Sequence, residues 1–204
     1  MIATANEDAK NSMAIDDNHL LHLLYSGEPA EKLAAARRLH AELHDRLAQI
    51  PGLAQALAEV HRQANALSDH MQAMGLGQLC SRCAASPGGG CCSATMAGNT
   101  DVIQILLNLL LGVAVEFRAD SGENCGFLGR RGCLFPLKPI FCLNYNCSHI
   151  LKGADPKALA LLYQRANAVL SRQTAIETML LAELRILAKA VPAGEHIETG
   201  HSSP

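Results

Sequence analysis

Residues 155–190 read Asp155-Pro156 followed by KALALLYQRANAVLSRQTAIETMLLAELRILAKA, without an internal glycine or proline. Aspartate accepts hydrogen bonds from the free amides that open a helix, and proline suits the first helical position because it has no amide to leave unpaired. The stretch therefore predicts one long helix over 156–190. Leu159, Leu162, Ala166, Val169, Ile176, Leu180 and Leu187 recur at helical spacing and form its inward face. A chain carrying such a helix must supply other helices to cover that face.

Upstream stretches meet this requirement. A short helical piece is expected at residues 17–25. Residues 29–50 are rich in Ala, Leu, Arg and Glu behind Pro29, which predicts a second helix. Pro51-Gly52 marks a corner. Beyond it Leu53, Leu57, Val60, Ala64, Leu67, Met71 and Met74 alternate at spacings of four and three, an apolar seam for another helix, with Gly75 and Gly77 as its stop. A further helix is expected from about 100 to 117, capped by Asn99 or Thr100. No alternating strand pattern or internal repeat is present. The fold class is all-α: a helical bundle scaffold carrying a loop-rich cysteine segment. Its divisions are a polar tail at 1–15, a helical region at 16–77, the cysteine-rich segment at 78–150, the long helix within 151–191 and a second tail at 192–204. The apolar seams serve the chain's own core, with a protein partner or a second copy of the chain as their other use.

Composition narrows the function. The 204 residues are 49% hydrophobic, enough to bury a core, and 17 Lys+Arg against 19 Asp+Glu give a net charge of -2. This lacks the basic excess that nucleic acid or an anionic membrane attracts, so neither is expected as a partner. The most apolar run, residues 102–117, is interrupted by Gln104, Asn108 and Glu116. It falls short of the roughly 20 residues that span a bilayer. The N-terminal residues lack a secretory pattern, so a cytoplasmic location is expected, where thiols stay reduced.

All eight cysteines fall within residues 80–147. The first cluster is Cys80-Ser81-Arg82-Cys83, then seven residues ending in Gly88-Gly89-Gly90, then Cys91-Cys92. A C-x-x-C on a tight turn brings two sulfurs to one ion, and the glycine-rich connection is suited to folding Cys91 or Cys92 back to it. Adjacent cysteines point in different directions, so one ligates while the other packs or serves a second centre. The second cluster, Cys125, Cys133, Cys142 and Cys147, is spaced by 8, 9 and 5 residues. Gly126, Gly129, Gly132, Pro136 and Pro139 supply turns between them. Phe117, Phe127, Phe135, Phe141 and Tyr145 place five of the chain's seven aromatics here. Arg82, Arg130, Arg131 and Lys138 would offset clustered thiolate charge. Soft sulfur ligands favour zinc or an iron–sulfur centre over calcium or magnesium.

The order C-x-x-C, C-C, helix, Cys125-x-Phe127-Leu128, Gly132-Cys133-x-Phe135, Lys138-Pro139-x-x-Cys142 and Tyr145-x-Cys147 resembles the YkgJ-type cysteine-rich proteins, described as zinc- or iron-chelating. A similar cluster occurs in flagellin lysine methylases. The resemblance covers about residues 78–150 and implies a metal held by the eight cysteines. It departs from the family pattern in the longer gap before Cys91, in Lys138 where arginine is usual and in Leu143 where a basic residue is common.

Other candidates are weaker. His40 and His44 share a helix face without the H-E-x-x-H pattern of zinc enzymes, and they read as a solvated face. His149 is a reserve ligand. Asp101, Asp120 and Glu123 border the cysteines as acid–base candidates. No phosphate loop, dinucleotide fingerprint or G-x-S-x-G is present, and no catalytic residue is singled out. The expected function is metal chelation through clustered thiolates. The alternatives are an enzyme using the cluster, with methyl transfer as the analogy, and a thiol redox sensor.

Overall fold

The computed structural model describes residues 17–84, 90–119, 121–122, 124–129, 132–143 and 147–190. The tails expected at 1–15 and 192–204 lie outside the described residues, as do residues 85–89, Asp120, Glu123, Arg130, Arg131 and Tyr145.

The chain is mostly α-helical. Helices α1 (Asp17–Tyr25), α2 (Pro29–Ala48), α3 (Leu53–Ala73), α4 (Leu76–Ala84), α5 (Ala94–Gly98) and α6 (Val102–Leu110) occupy the first half. Strands β1 (Leu128–Gly129) and β2 (Gly132–Cys133), a 3-10 turn at Ile140–Leu143, α7 (Ser148–Leu151) and α8 (Pro156–Ala190) follow. Among the described residues no helix is long and apolar enough to cross a membrane.

Helix α8 has the predicted bounds. Asp155 caps it by accepting the Ala158 amide at 2.9 Å. Its buried face is Leu162, Ala166, Val169, Gln173, Ile176, Leu180 and Leu184. Gln173 and Leu184 fill positions the apolar pattern skipped, while Leu159 and Leu187 are only half-buried. Helix α3 packs along α8. Arg165 donates to the Ala66 carbonyl at 2.6 Å, and His70 bonds the Ala158 carbonyl at 2.8 Å. These pairings advance in opposite directions along the two helices, so α3 and α8 run antiparallel. Of the expected seam on α3, Leu53, Val60, Ala64 and Leu67 are buried. Leu57, Met71 and Met74 are partly buried against the same core.

Helix α6 sits in the middle, packed on both α2 and α8. Every residue from Val102 to Asn108 is buried, which fits a helix apolar all round. The structure corrects the expected bounds of 100–117. The cap is Asp101, whose Oδ1 accepts the Gln104 amide at 2.7 Å, and the helix stops at Leu110. Gly112 explains the stop: its φ of 76° lies in the left-handed region that glycine enters without steric cost. The chain then runs on in non-helical backbone, burying Val115, whose carbonyl accepts Arg37 Nη2 at 2.7 Å.

A second correction concerns the first cysteines. Gly77 does not end α3 but lies inside α4, so Cys80 and Cys83 sit on a helix rather than a tight turn. Phe127, Phe135, Leu137, Leu143 and Ile150 from the cysteine segment join the same apolar core as the long helices.

Candidate functional site

Six stretches of chain bring the cysteines in. Cys80 and Cys83 are three residues apart on α4, hence neighbours on one helix face. Leu76 on the same helix is buried and Leu79 packs against the core, which anchors α4. Cys147 is the N-cap residue of α7, and α7 packs on α4. Cys91 and Cys92 precede α5, whose start is fixed by Ser93 Oγ accepting the Met96 amide at 3.3 Å. Ser93 also forms an isolated antiparallel bridge with Asn124, and the Cys125 amide donates to the Cys92 carbonyl at 3.1 Å. The first and second clusters are thus joined through backbone.

The second cluster is built on a small hairpin. β1 and β2 pair antiparallel, with Leu128 opposite Cys133 and Gly129 opposite Gly132. The Leu134 amide donates to the Phe127 carbonyl at 3.0 Å. Cys125-Gly126-Phe127 and Cys133-Leu134-Phe135 repeat one local device: the cysteine sulfur accepts the backbone amide two residues on. The rings of Phe127 and Phe135 are 1% and 2% exposed, so each phenylalanine buries its side chain while its amide faces sulfur. The two rings meet tilted at 4.7 Å between centroids, and Phe117 adds to Phe127, also tilted, at 5.1 Å. Gly126 is required by close approach. A Cβ there would lie 2.8 Å from the Arg118 carbonyl oxygen and would overlap the Phe117 ring.

Three amides hold the stretch before Cys142. Asn108 on α6, fully buried, accepts the Leu137 amide at 3.1 Å and donates to the Leu137 carbonyl at 2.9 Å. Gln104 donates to the same carbonyl at 2.7 Å. Gln173 on α8 donates to the Lys138 carbonyl at 3.0 Å and to Gln104 Oε1 at 3.3 Å. Two central helices therefore grip one loop through its backbone. In the sequence Gln104 and Asn108 are interruptions of an apolar run, and Gln173 is a single polar residue in an apolar stripe. A lone amide inside an apolar helix face was the available signal, because such groups are buried only with partners.

Five of the thiols are held in their neutral form by their surroundings. Burial is the largest cause that raises Cys80, Cys92, Cys125, Cys133 and Cys142 above the ordinary thiol value. Cys92 and Cys142 are each pushed up to about 12. Neighbouring thiolates add to this. Cys91, Cys147 and Cys83 act on Cys80, while Cys91, Cys133, Cys125 and Cys80 act on Cys92. Cys133, Cys92, Cys125 and Cys91 act on Cys142. Lys138 pulls the other way on Cys133, as do the Phe127 and Phe135 amides on their sulfurs.

Among the described residues, no three His, Cys, Asp or Glu side chains stand close enough together to hold a metal ion as arranged. All eight cysteines are free thiols. Neutral thiols pack as small apolar groups, whereas ligating thiolates need a cation to offset their mutual repulsion. The donor set fits a soft cation in kind, since it offers eight sulfurs, two with backbone amides donating to them and one near an ammonium. Amide donors to sulfur are the usual support of metal thiolates.

The other candidates stand apart. His40 and His44 lie edge-on with centroids 5.2 Å apart on α2, where burial and then His44 lower the His40 value. His149 is exposed on α7. Asp101 is engaged as the α6 cap. Comparison with family models, with curated proteins and with solved structures gives no match.

Proposed function

We propose that this protein chelates a soft metal, zinc or an iron–sulfur centre, through Cys80, Cys83, Cys91, Cys92, Cys125, Cys133, Cys142 and Cys147, in the manner of the YkgJ-type proteins it resembles. The long helices then act as a bundle scaffold that presents the cysteine segment. The observation that carries the reading is that backbone contacts tie the cysteine-bearing stretches together: Cys125 bonds the Cys92 carbonyl, Ser93 bridges Asn124, and α7, which Cys147 begins, packs on the α4 helix that bears Cys80 and Cys83. The paired amide donors at Cys125 and Cys133 and the ammonium of Lys138 add support, since each favours sulfur in its charged form. Bound there, the metal would crosslink short elements that have little other constraint, so binding free energy would become folding free energy for the segment.

The test is to purify the protein anaerobically in reductant, then measure metal, acid-labile sulfide, the absorption spectrum and the melting temperature with and without chelator. Stoichiometric metal is expected, coloured with sulfide for an iron–sulfur centre and colourless for zinc. Chelation should lower the melting temperature and expose the 90–151 region to protease while most of the helical circular dichroism survives. Metal-free protein with a chelator-insensitive melting temperature would overturn the proposal. If such protein shifted its melting temperature on oxidation, the thiol-sensor reading would replace it.

A further inference from the structure

Among the described residues, one backbone pairing sets two cysteines directly opposite each other. Ser93 and Asn124 form an antiparallel bridge, and in that register Cys92, one residue before, faces Cys125, one residue after. The bond from the Cys125 amide to the Cys92 carbonyl, 3.1 Å, is one of the two that such an opposite pair exchanges. We propose that Cys92 and Cys125 are a reversible disulfide pair, closed by a peroxide and reopened by a small thiol, that staples the chain ahead of α5 to the chain ahead of β1. The inference stands apart from the metal reading and does not require a bound metal.

The spacing suits the bond. Opposite residues of a hydrogen-bonded antiparallel pair have Cα atoms about 5.5 Å apart, and disulfides join Cα atoms about 4.4–6.8 Å apart. Their Cβ atoms share one face at about 4.5–5.5 Å, against about 3.5–4.5 Å in a disulfide, so the two stretches draw together slightly as the bond closes. A disulfide closed under strain is the more easily reduced, which makes the pair reversible.

Both sides of the pair are held in place. Ser93 caps α5 by accepting the Met96 amide, and the Gly126 carbonyl accepts the Arg118 amide at 2.9 Å. Gly126 has no room for a Cβ, so the backbone just after Cys125 lies tight against Phe117 and Arg118. The other cysteines have different neighbours across their backbone. Cys133 faces Leu128 in the hairpin, Cys80 and Cys83 share one helix, and Cys147 begins α7. Cys92 and Cys125 are half-buried, which leaves them open to an oxidant as small as hydrogen peroxide.

The chemistry balances with that oxidant. One sulfur attacks a peroxide oxygen, the O–O bond breaks, and the cysteine becomes a sulfenic acid as one water leaves. The other sulfur attacks the sulfenic sulfur, the S–S bond forms, the S–O bond breaks and a second water leaves. The two thiols lose two electrons and two protons, and the peroxide is reduced to water. A small thiol reopens the bond by exchange and is itself oxidised to a disulfide. The closed loop contains α5 and α6. Closure also withdraws two of the eight thiols, so oxidation competes with chelation.

The test treats full-length protein, as purified in reductant and then freed of it under argon, with a rising dose of hydrogen peroxide. Remaining thiols are alkylated, and tryptic peptides are read by mass spectrometry. Peptide 119–130 carries Cys125 as its only cysteine, and it should appear joined to peptide 83–118, with fragmentation placing the bond at Cys92. The joined species should be the main internal disulfide, disappear with dithiothreitol, be absent from Cys92→Ser and persist in Cys91→Ser. Cys91 is exposed, so that variant should fold, and circular dichroism checks that it does. Cys125 joined instead to Cys83, to Cys91 or to a cysteine of peptide 132–152 would overturn the pair. So would Cys125 left alkylated while other cysteines have formed disulfides. Metal measured in the same preparation before peroxide is added tests the metal reading by itself, so each inference can fail without the other.

Discussion

Helix α6 and the phenylalanines that flank the β1–β2 hairpin, Phe127 and Phe135, belong to one apolar core, yet α6 and the hairpin are held by opposite means. Every residue of α6 from Val102 to Asn108 is buried, and α2 and α8 enclose it. The hairpin has two residues per strand, and short pairings of that kind are marginal in water on their own. Around it, Cys125 leans on the Cys92 carbonyl and Arg118 on the Gly126 carbonyl. Leu137 is tied to α6 by the Asn108 side chain. Burial in α6 is spread over many side chains. The cysteine segment rests instead on a few directional bonds, so the loss of one of them is felt there before it is felt in the helices.

The contrast breaks most visibly at the shared support. Ile105 is fully buried on α6. Ile105→Ala should cost about 2–5 kcal/mol through lost transfer energy and the cavity left behind. Because core residues of both regions meet in one cluster, helices and cysteine segment should lose stability together in chemical denaturation. A wild-type midpoint would show that α6 is not the common support.

A smaller and more selective effect is expected at Asn108→Leu. The volume is nearly kept, but the buried Leu137 amide loses its acceptor. Leaving such a group unpaired costs about 1–3 kcal/mol. Amide hydrogen exchange should quicken over residues 132–143 well before residues 156–180 of α8. Uniform acceleration along the chain would mean that Asn108 supports α6 rather than the loop.

The smallest effect is expected at Asp101→Asn. Burial, the largest cause, raises the Asp101 carboxyl above its ordinary 3.8, outweighing the Gln104 amide and Lys32, while Glu177 adds to the rise. A raised value in the folded state means a stabilising contribution that is complete below about pH 3.8 and lost as pH rises through the folded value. At neutral pH the charge is therefore a net cost, and asparagine caps a helix about as well as aspartate. The variant should melt at or slightly above the wild-type temperature at pH 7, with the gap closing below pH 4. A lower melting temperature at pH 7 would show that the Lys32 attraction outweighs desolvation.

Much of the helical layout was legible beforehand. The bounds of α8 and the starts of α2 and α3 followed from Pro29, Gly52, Asp155 and Pro156 together with apolar spacing. The confinement of the cysteines to one segment was equally plain. The run from 102 to 117 misled because continuous apolarity does not distinguish buried helix from buried extended chain, and the decisive signal was the single Gly112. The C-x-x-C pair carries no helical signal in the sequence, because the Leu76 and Leu79 anchors of α4 are too few to register as a period.

What the sequence determined by itself is local: helix propensity, caps and apolar period act within a few residues and are written in the order of the chain. It also determined that soft ligands are concentrated between 80 and 147. Only the tertiary structure decided which polar groups are tools. Asn108 and Gln104 stand 29 and 33 residues from Leu137, and Gln173 stands 35 from Lys138 and 69 from Gln104. The joining of the two cysteine clusters likewise depends on the bridge from Ser93 to Asn124 and on α7 meeting α4. Such contacts leave no local trace, because they depend on how separately formed elements meet around a common core.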